Sequence, residues 1–224
     1  MTRIAAFVPM RHDSERVKGK NYRPLGGRPL YHHIVSSLLA CPKVDEVVID
    51  TDSPLIAEEA KSVFPEVRVL ARPEHLLGGD VPMNEVLLND IEQVEADLYV
   101  QTHSTNPLLR AETIQAALDA VLDGRDRYDS LFTVTPLYTR LWTPDGGAIN
   151  HDPEVLLRTQ DLAPVMEENS CLYVFDAATL RRRGNRIGER PLLYALEPHE
   201  AWDIDDELDW LVVEALYSQR EAIR

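Results

Sequence analysis

The stretch Ile4 to Asn21, IAAFVPMRHDSERVKGKN, constrains this chain more than any other. Ile4-Ala5-Ala6-Phe7-Val8 is an unbroken apolar run, as a parallel strand covered on both faces requires. Pro9 ends the run, and a polar loop follows with Arg11, Arg16, Lys18 and Lys20 around Gly19. Pro29 then stands at the expected first position of a helix whose apolar residues, Leu30, Ile34, Val35 and Leu38, recur at helical spacing. Strand, basic loop and helix in that order build a phosphate site at the carboxyl end of a first strand. The loop stands out because the chain carries a formal net charge of −15 and four lysines, two of them here. Such a charge repels a polyanion, so a concentrated basic loop suits a local anion such as a triphosphate. A solvated surface loop is the plainer reading, and composition alone leaves the two level. Neither G-x-x-x-x-G-K-[ST] nor G-x-G-x-x-G occurs, which excludes a Walker A loop and a dinucleotide fingerprint.

Strand and helix patterns alternate along the rest of the chain, which predicts a mostly parallel sheet with helices on both faces. Strands are expected at Glu46–Asp50, Val67–Ala71, Asp97–Gln101, Ser130–Thr135, Asn169–Phe175 and Pro191–Leu196. Helices are expected after Pro54, from about Met83, over Glu112–Leu122 and over Leu208–Tyr217. At 224 residues with 44% apolar composition, one α/β domain over 1–224 accounts for the whole length. Residues 136–168 break the alternation, and an irregular segment of that length inside a domain calls for a function or a partner. No run approaches the ~20 apolar residues of a membrane span, and the first residues carry no signal-peptide pattern. Cys41 and Cys171 lie far apart in apolar surroundings, as reduced core cysteines of a cytoplasmic protein do. The acidity argues against nucleic acid as a partner, and no membrane partner is expected.

Several segments, taken in order, resemble the CMP-acylneuraminate (CMP-sialic acid) synthetase group of cytidylyltransferases. That group's first loop reads A-R-x-x-S-K-G-x-x-x-K-N, and Arg11, Ser14, Lys20 and Asn21 fall in register. Met10 replaces its small residue, and Glu15-Arg16 its Lys-Gly pair. Asp50-Thr51-Asp52 with Ile56–Ala60 is similar to its S-T-D…I-A-E-E-A, and Arg72-Pro73-Glu74-His75-Leu76, followed by Gly78-Gly79-Asp80, to its R-P-x-x-L. Thr105, Pro107 and Leu108 match Q-P-T-S-P-L-R, with His103 in place of Gln and Asn106 in place of Ser. Asn169-Ser170-Cys171-Leu172-Tyr173 matches N-G-A-I-Y, and Asp203-Ile204-Asp205-Asp206-Glu207-Leu208-Asp209 matches D-I-D-x-E-L-D.

The resemblance implies a Rossmann-like, GT-A-like α/β/α nucleotidyltransferase with a small dimerisation extension. It implies Mg²⁺-dependent transfer of CMP from CTP to an acidic sugar with release of pyrophosphate. Asp203 and Asp205 would ligate the metal; their spacing puts both on one side of an extended backbone, although D-x-D alone reads more simply as a solvated helix start. Arg11 and Lys20 would meet the triphosphate, with Ser14, Asn21, Asp52, Arg72 and Asp80 around the nucleotide. His103, Thr105, Asn106, Arg140, Arg158, Asn169 and Tyr173 would face the acceptor. Residues 136–168 would form a homodimer contact and close the neighbouring subunit's acceptor pocket. Arg158 reads equally as a surface ion pair, and Arg181-Arg182-Arg183 with Arg186 as a solvated helix end. Glu167-Glu168 stand where sialic-acid enzymes of the group carry an arginine, which opens the acceptor to other nonulosonic acids or a phosphonate. An octulosonate cytidylyltransferase, a metal-dependent glycosyltransferase and a non-catalytic nucleotide-binding module remain as alternatives.

Overall fold

The computed structural model describes residues 2–12 and 17–223, with side chains up to Gln219. Nine strands and six α-helices follow one another as β1 (Ile4–Met10), β2 (Pro24–Leu25), β3 (Arg28–Pro29), α1 (Leu30–Leu39), β4 (Glu46–Thr51), α2 (Pro54–Val63), β5 (Arg68–Ala71), α3 (Met83–Ile91), β6 (Leu98–Thr102), α4 (Ala111–Asp123), β7 (Ser130–Leu137), β8 (Val165–Phe175), α5 (Ala177–Arg183), β9 (Pro191–Ala195) and α6 (Glu207–Ile223). Seven strands form one sheet in the order β5-β4-β1-β6-β8-β7-β9. Every neighbouring pair is parallel except those made by β8, which runs antiparallel to β6 and β7. The expected mostly parallel α/β fold is therefore the one observed. Chain order reverses between β1 and β6, so their carboxyl ends open the crevice in which sheets of this kind bind ligands.

All seven residues of β1 are buried, and the period-two alternation divides them between the two faces. Ile4, Ala6, Val8 and Met10 join the cluster under α1, α2 and α4. Ala5 and Phe7 join the opposite cluster with residues of α3 and α5, where Phe7 stacks on Tyr99 at 5.4 Å. A third cluster is smaller and matters more for the site. Leu25, Leu30, Leu108, Ile204, Trp210 and Val213 dock α6 onto the β2–β3 hairpin. Ser53 caps α2 by accepting from Ile56 N, and Pro54 is its first residue, where the sequence places the start of that helix. Asp206 and Asp209 open α6 as a reciprocal capping box: Asp206 Oδ1 accepts from Leu208 N and Asp209 N, and Asp209 Oδ2 accepts from Asp205 N and Asp206 N. Both cysteines are buried and free.

Two expectations are corrected. Pro29 lies in β3, just outside α1, because its carbonyl side is still extended there at ψ 143. The irregular segment is shorter than 136–168: Pro136-Leu137 and Val165–Glu168 pair as strands, with Leu137 opposite Val165. The excursion proper covers 138–164 and holds only a Trp142–Ala148 bridge and a short 3-10 turn.

Candidate active site

A cleft of about 470 Å³ opens over the carboxyl ends of β1 and β6. Pro9, Met10 and Arg11 reach it from β1 and its loop, Lys20 and Asn21 from the end of that loop, and His103, Ser104 and Thr105 from beyond β6. Arg72 and Met83 close it beyond β5 and at α3, Ser170 stands on β8, and Asp203 and Asp205 approach from the segment before α6.

The loop is held by side chains that the motif already contained. Asn21 is 7% exposed; its Nδ2 donates to Arg11 O at 2.7 Å, and its Oδ1 accepts from the Ser104 hydroxyl at 2.6 Å. Asn21 thus ties the β1 loop to the end of β6 and fixes where the Arg11 side chain starts. Asp52 does the same from the other flank, accepting from His12 N at 2.6 Å while His12 Nδ1 meets Ser53 Oγ at 2.7 Å. Asp52 works behind the cleft wall, outside the residues that line it.

Ile204 explains how both aspartates reach the cleft. Its side chain is fully buried in the third cluster, its N–H donates to Thr105 O at 3.0 Å, and its carbonyl accepts from Lys20 Nζ at 2.7 Å. With Ile204 turned inward, Asp203 and Asp205 on either side both line the cleft. Burial pushes the Asp203 carboxyl up, the Thr105 hydrogen bond opposes this, and the charges of Asp205 and Lys20 act in opposite directions. Asp203 Oδ1 is buried with no partner among the described residues. A buried, unpartnered carboxylate oxygen beside a second carboxylate and an open cleft fits a hard divalent cation that takes its other ligands from water and phosphate.

Arg72 is held from beneath. Its Nε donates to Asp50 Oδ1 and Nη2 reaches the same oxygen, so the guanidinium is locked as a buried ion pair. Asp50 and Asp90 both carry raised pKa values, and each keeps one buried oxygen without a donor. A proton shared between them satisfies both groups.

The acceptor-side expectations divide. His103 and Thr105 line the cleft. Burial, followed by the charges of Arg186 and Lys20, pushes His103 down to about 3, so its imidazole is neutral; its Nε2 lies 3.0 Å from Gln101 Nε2. Tyr173 and Asn169 shape the wall from behind. Opposite Thr133 the ladder skips from Tyr173 to Glu168. Asn169 pins the looped-out residues: its Oδ1 accepts from Thr133 Oγ1 at 2.6 Å, and its Nδ2 donates to Thr135 Oγ1 at 3.1 Å. That bulge turns Ser170 into the left-handed region, φ 58, and toward the cleft. Asn106 is wholly buried and donates to Trp202 O, so it holds the segment before Asp203 without facing a ligand.

Further expectations are not met. Arg140 and Arg158 sit on the excursion, where Arg140 donates to Leu157 O and Arg158 pairs with Asp161 at 2.7 Å; neither lines this cleft. Asp80 is exposed on the turn before α3, outside the cleft lining. Arg186, read as a helix-end charge, instead lines the cleft, with its guanidinium 3.6 Å above the Tyr173 ring. No local sequence signal separates it from its exposed neighbours Arg181 and Arg183, which pair with Glu92 and Glu189. Ser14 lies outside the described residues.

Ser170, Asp203 and Asp205 also border a second cleft of about 490 Å³, lined further by Thr135, Glu167, Glu168, Asn169, Pro198, Ala201, Trp202 and Asp209. The two aspartates therefore form the wall between a basic cleft and an acidic one.

A parallel sheet with a basic loop after its first strand and a carboxylate pair across the switch point defines a nucleotidyltransferase of the α/β class. Residues 5–199 match the cytidylyltransferase family model. The chain is 30% identical over 229 residues to the CMP-N,N'-diacetyllegionaminic acid synthase of Legionella pneumophila, with 96% of each protein covered. It is 28% identical to the 3-deoxy-manno-octulosonate cytidylyltransferase of Escherichia coli over 55% of this chain and 48% of that protein. Its fold matches CMP:2-keto-3-deoxy-manno-octonic acid synthetase, solved in complex with CTP, at TM-score 0.72 and 15% identity, covering 98% of this chain and all of the other. The chain belongs to the cytidylyltransferase family and is a CTP-dependent nucleotidyltransferase. That membership sets aside the glycosyltransferase and non-catalytic alternatives.

Proposed function

We propose that this enzyme transfers CMP from CTP to a nonulosonic acid, an acidic sugar, and releases pyrophosphate. The observation that carries the reading is one cleft lined by Asp203 and Asp205 together with Lys20 and Arg11, with a second cleft open beyond the aspartates. Arg11 and Lys20 would neutralise charge that builds on the leaving pyrophosphate, and Asn21 and Ser104 would hold that loop in place during the step. Arg72, fixed by Asp50, would face the nucleoside end. Mg²⁺ held by Asp203 and Asp205 would supply charge neutralisation at the α-phosphate and a lowered pKa for the acceptor hydroxyl. No protein nucleophile is required, because attack by an acceptor oxygen in line with the leaving group needs positioning and charge compensation.

Full-length similarity to a legionaminic acid enzyme supports a nonulosonic acid over an octulosonate, for which the Escherichia coli match covers about half of each protein. The excursion carries exposed Tyr138, Trp142, Ile149 and Leu156, an apolar surface suited to a homodimer. The cytoplasm, where free CTP is available, would be its compartment; among the described residues no helix is long and apolar enough to cross a membrane.

The test is pyrophosphate release with each of the four NTPs, Mg²⁺, and a panel of N,N'-diacetyllegionaminic acid, sialic acid, an octulosonic acid and simple phosphonates. Release with CTP and a nonulosonic acid, lost by a factor of at least a hundred in a folded Asp203→Asn variant, is expected. Release with a phosphonate or octulosonate alone would overturn the acceptor assignment. Full activity after chelation, or in Asp203→Asn, would overturn the metal site.

A further inference from the structure

Arg186 lines the cleft, and the reading above gives it no role. Its guanidinium carbon lies over the Tyr173 ring, 3.6 Å from the centroid, and its Nη1 is buried with no hydrogen-bond partner among the described residues. A buried guanidinium nitrogen without an acceptor is costly unless a ligand supplies one. Its surroundings are rigid. Arg186 N donates to Asn84 Oδ1, Ile187 N to Asn185 Oδ1 and Gly188 N to Ser130 Oγ, while Glu189 N and Arg190 N both donate to Asp129. The platform beneath is equally fixed, because the Tyr173 hydroxyl is held by Glu168 and by Ser170 Oγ. Five backbone anchors and a fixed ring present one cation to the cleft with little freedom left to lose on binding.

Its position along the sheet decides which substrate it serves. Arg11 and Lys20 follow β1, whereas Tyr173 and Ser170 belong to β8, with β6 between them. At about 4.8 Å per strand, β1 and β8 themselves lie roughly 10 Å apart. In-line transfer sets the attacking oxygen opposite the leaving pyrophosphate, so a basic group on the far side of the α-phosphate from the β1 loop meets the acceptor. The neighbouring imidazole of His103 is neutral and adds no positive charge there.

We propose that Arg186, laid on Tyr173, is the specificity residue that binds the carboxylate of the acid acceptor through its planar fork. The proposal rests on the transfer reading above. A carboxylate matches the fork in two parallel hydrogen bonds, and stacking on the ring leaves the guanidinium edge open to make them. Glu167 and Glu168 line the adjoining cleft, where they would repel a second carboxylate and so confine the acid group to the Arg186 side.

The experiment measures pyrophosphate release with CTP and N,N'-diacetyllegionaminic acid, and separately with an octulosonic acid, for wild type, Arg186→Ala and Arg186→Lys. Arg186→Ala is expected to raise KM for the acid at least tenfold, with KM for CTP changed by less than about twofold and CTP binding unaltered in calorimetry. Arg186→Lys should recover only part of the loss, and added methylguanidinium should partly restore Arg186→Ala. A raised KM for CTP with an unchanged KM for the acid would overturn the proposal and place Arg186 on the nucleotide. Equal loss for the acid and for its carboxamide analogue, or no rescue by methylguanidinium, would reduce Arg186 to a packing role. Should Arg186→Ala fail to fold, Arg186→Lys and the carboxamide carry the same test. If wild type turns over no acid at all, the transfer reading fails and the proposal falls with it; turnover with an unchanged variant overturns the proposal alone.

Discussion

Replacing Asp90 by Asn should stabilise this protein at neutral pH, although Asp90 is wholly buried. Burial, then the charge of neighbouring Asp50, pushes Asp90 up to about 8 from an ordinary value of 3.8. Asp50 is likewise raised by burial, against the pull of Arg72. The folded state therefore keeps a proton that the unfolded chain releases above about pH 4. With the folded pKa above the unfolded one, stability is full below pH 4, falls as pH rises and levels off above pH 8. Each pH unit costs about 1.4 kcal/mol, so at pH 7 the penalty approaches about 4 kcal/mol at most. Asparagine supplies a permanent N–H where the protonated carboxyl supplied O–H, and it has nothing to titrate. Urea unfolding at pH 5, 6, 7 and 8 would measure this, read as the difference between variant and wild type so that other carboxylates cancel. The variant's advantage should grow with pH and reach about 2–4 kcal/mol near pH 8. A difference independent of pH, or a variant less stable than wild type at pH 8, would refute the shared proton. Asp50→Asn is the contrasting control: it strips Arg72 of its counter-ion and should destabilise by about 3–5 kcal/mol.

Other outcomes follow from single contacts. Ser170 pays for its place in the cleft with φ 58, so Ser170→Gly should raise stability by about 0.5–1 kcal/mol and Ser170→Val should lower it, as thermal melting would show. Asn21→Ala leaves the Arg11 carbonyl and the Ser104 hydroxyl without their partner, and should cost about 1–3 kcal/mol and raise KM for CTP; Arg11→Ala should raise that KM without the loss of stability. Leu156 is 88% exposed, so Leu156→Asp should leave the unfolding midpoint of the single chain unchanged while halving the mass seen in sedimentation; an unchanged mass would refute a homodimer through the excursion.

What was legible in the sequence was local. The β1 run, its basic loop and the capped β4–α2 turn depend on neighbours a few residues away, and the observed elements follow the expected ones closely. Asp203-Ile204-Asp205 was legible only through the family resemblance, since D-x-D alone reads as a solvated helix start; in the fold, one buried isoleucine between two acids sends both to the same cleft. The outer part of the β7–β8 hairpin, Pro136-Leu137 with Val165–Glu168, was not legible, because the ladder slips at Thr133 and the looped-out residues interrupt the alternation that marks a strand. Pro136 and the Glu167-Glu168 pair then read as loop, although they belong to paired strands. Charge misled in both directions. Arg140 and Arg158 looked like anion contacts and found a carbonyl and an aspartate within the excursion. Arg186 looked like one of a solvated run and enters the cleft, because the segment after α5 folds back over the Tyr173 ring. The residues proposed for nucleotide and phosphate lie on short stretches around β1 and before α6, where spacing reports them. The side proposed for the acceptor is assembled from β6, β8 and the loop after α5, which meet only through the sheet order. Reaction type is therefore written in contiguous motifs, whereas acceptor choice depends on contacts between residues far apart in the chain.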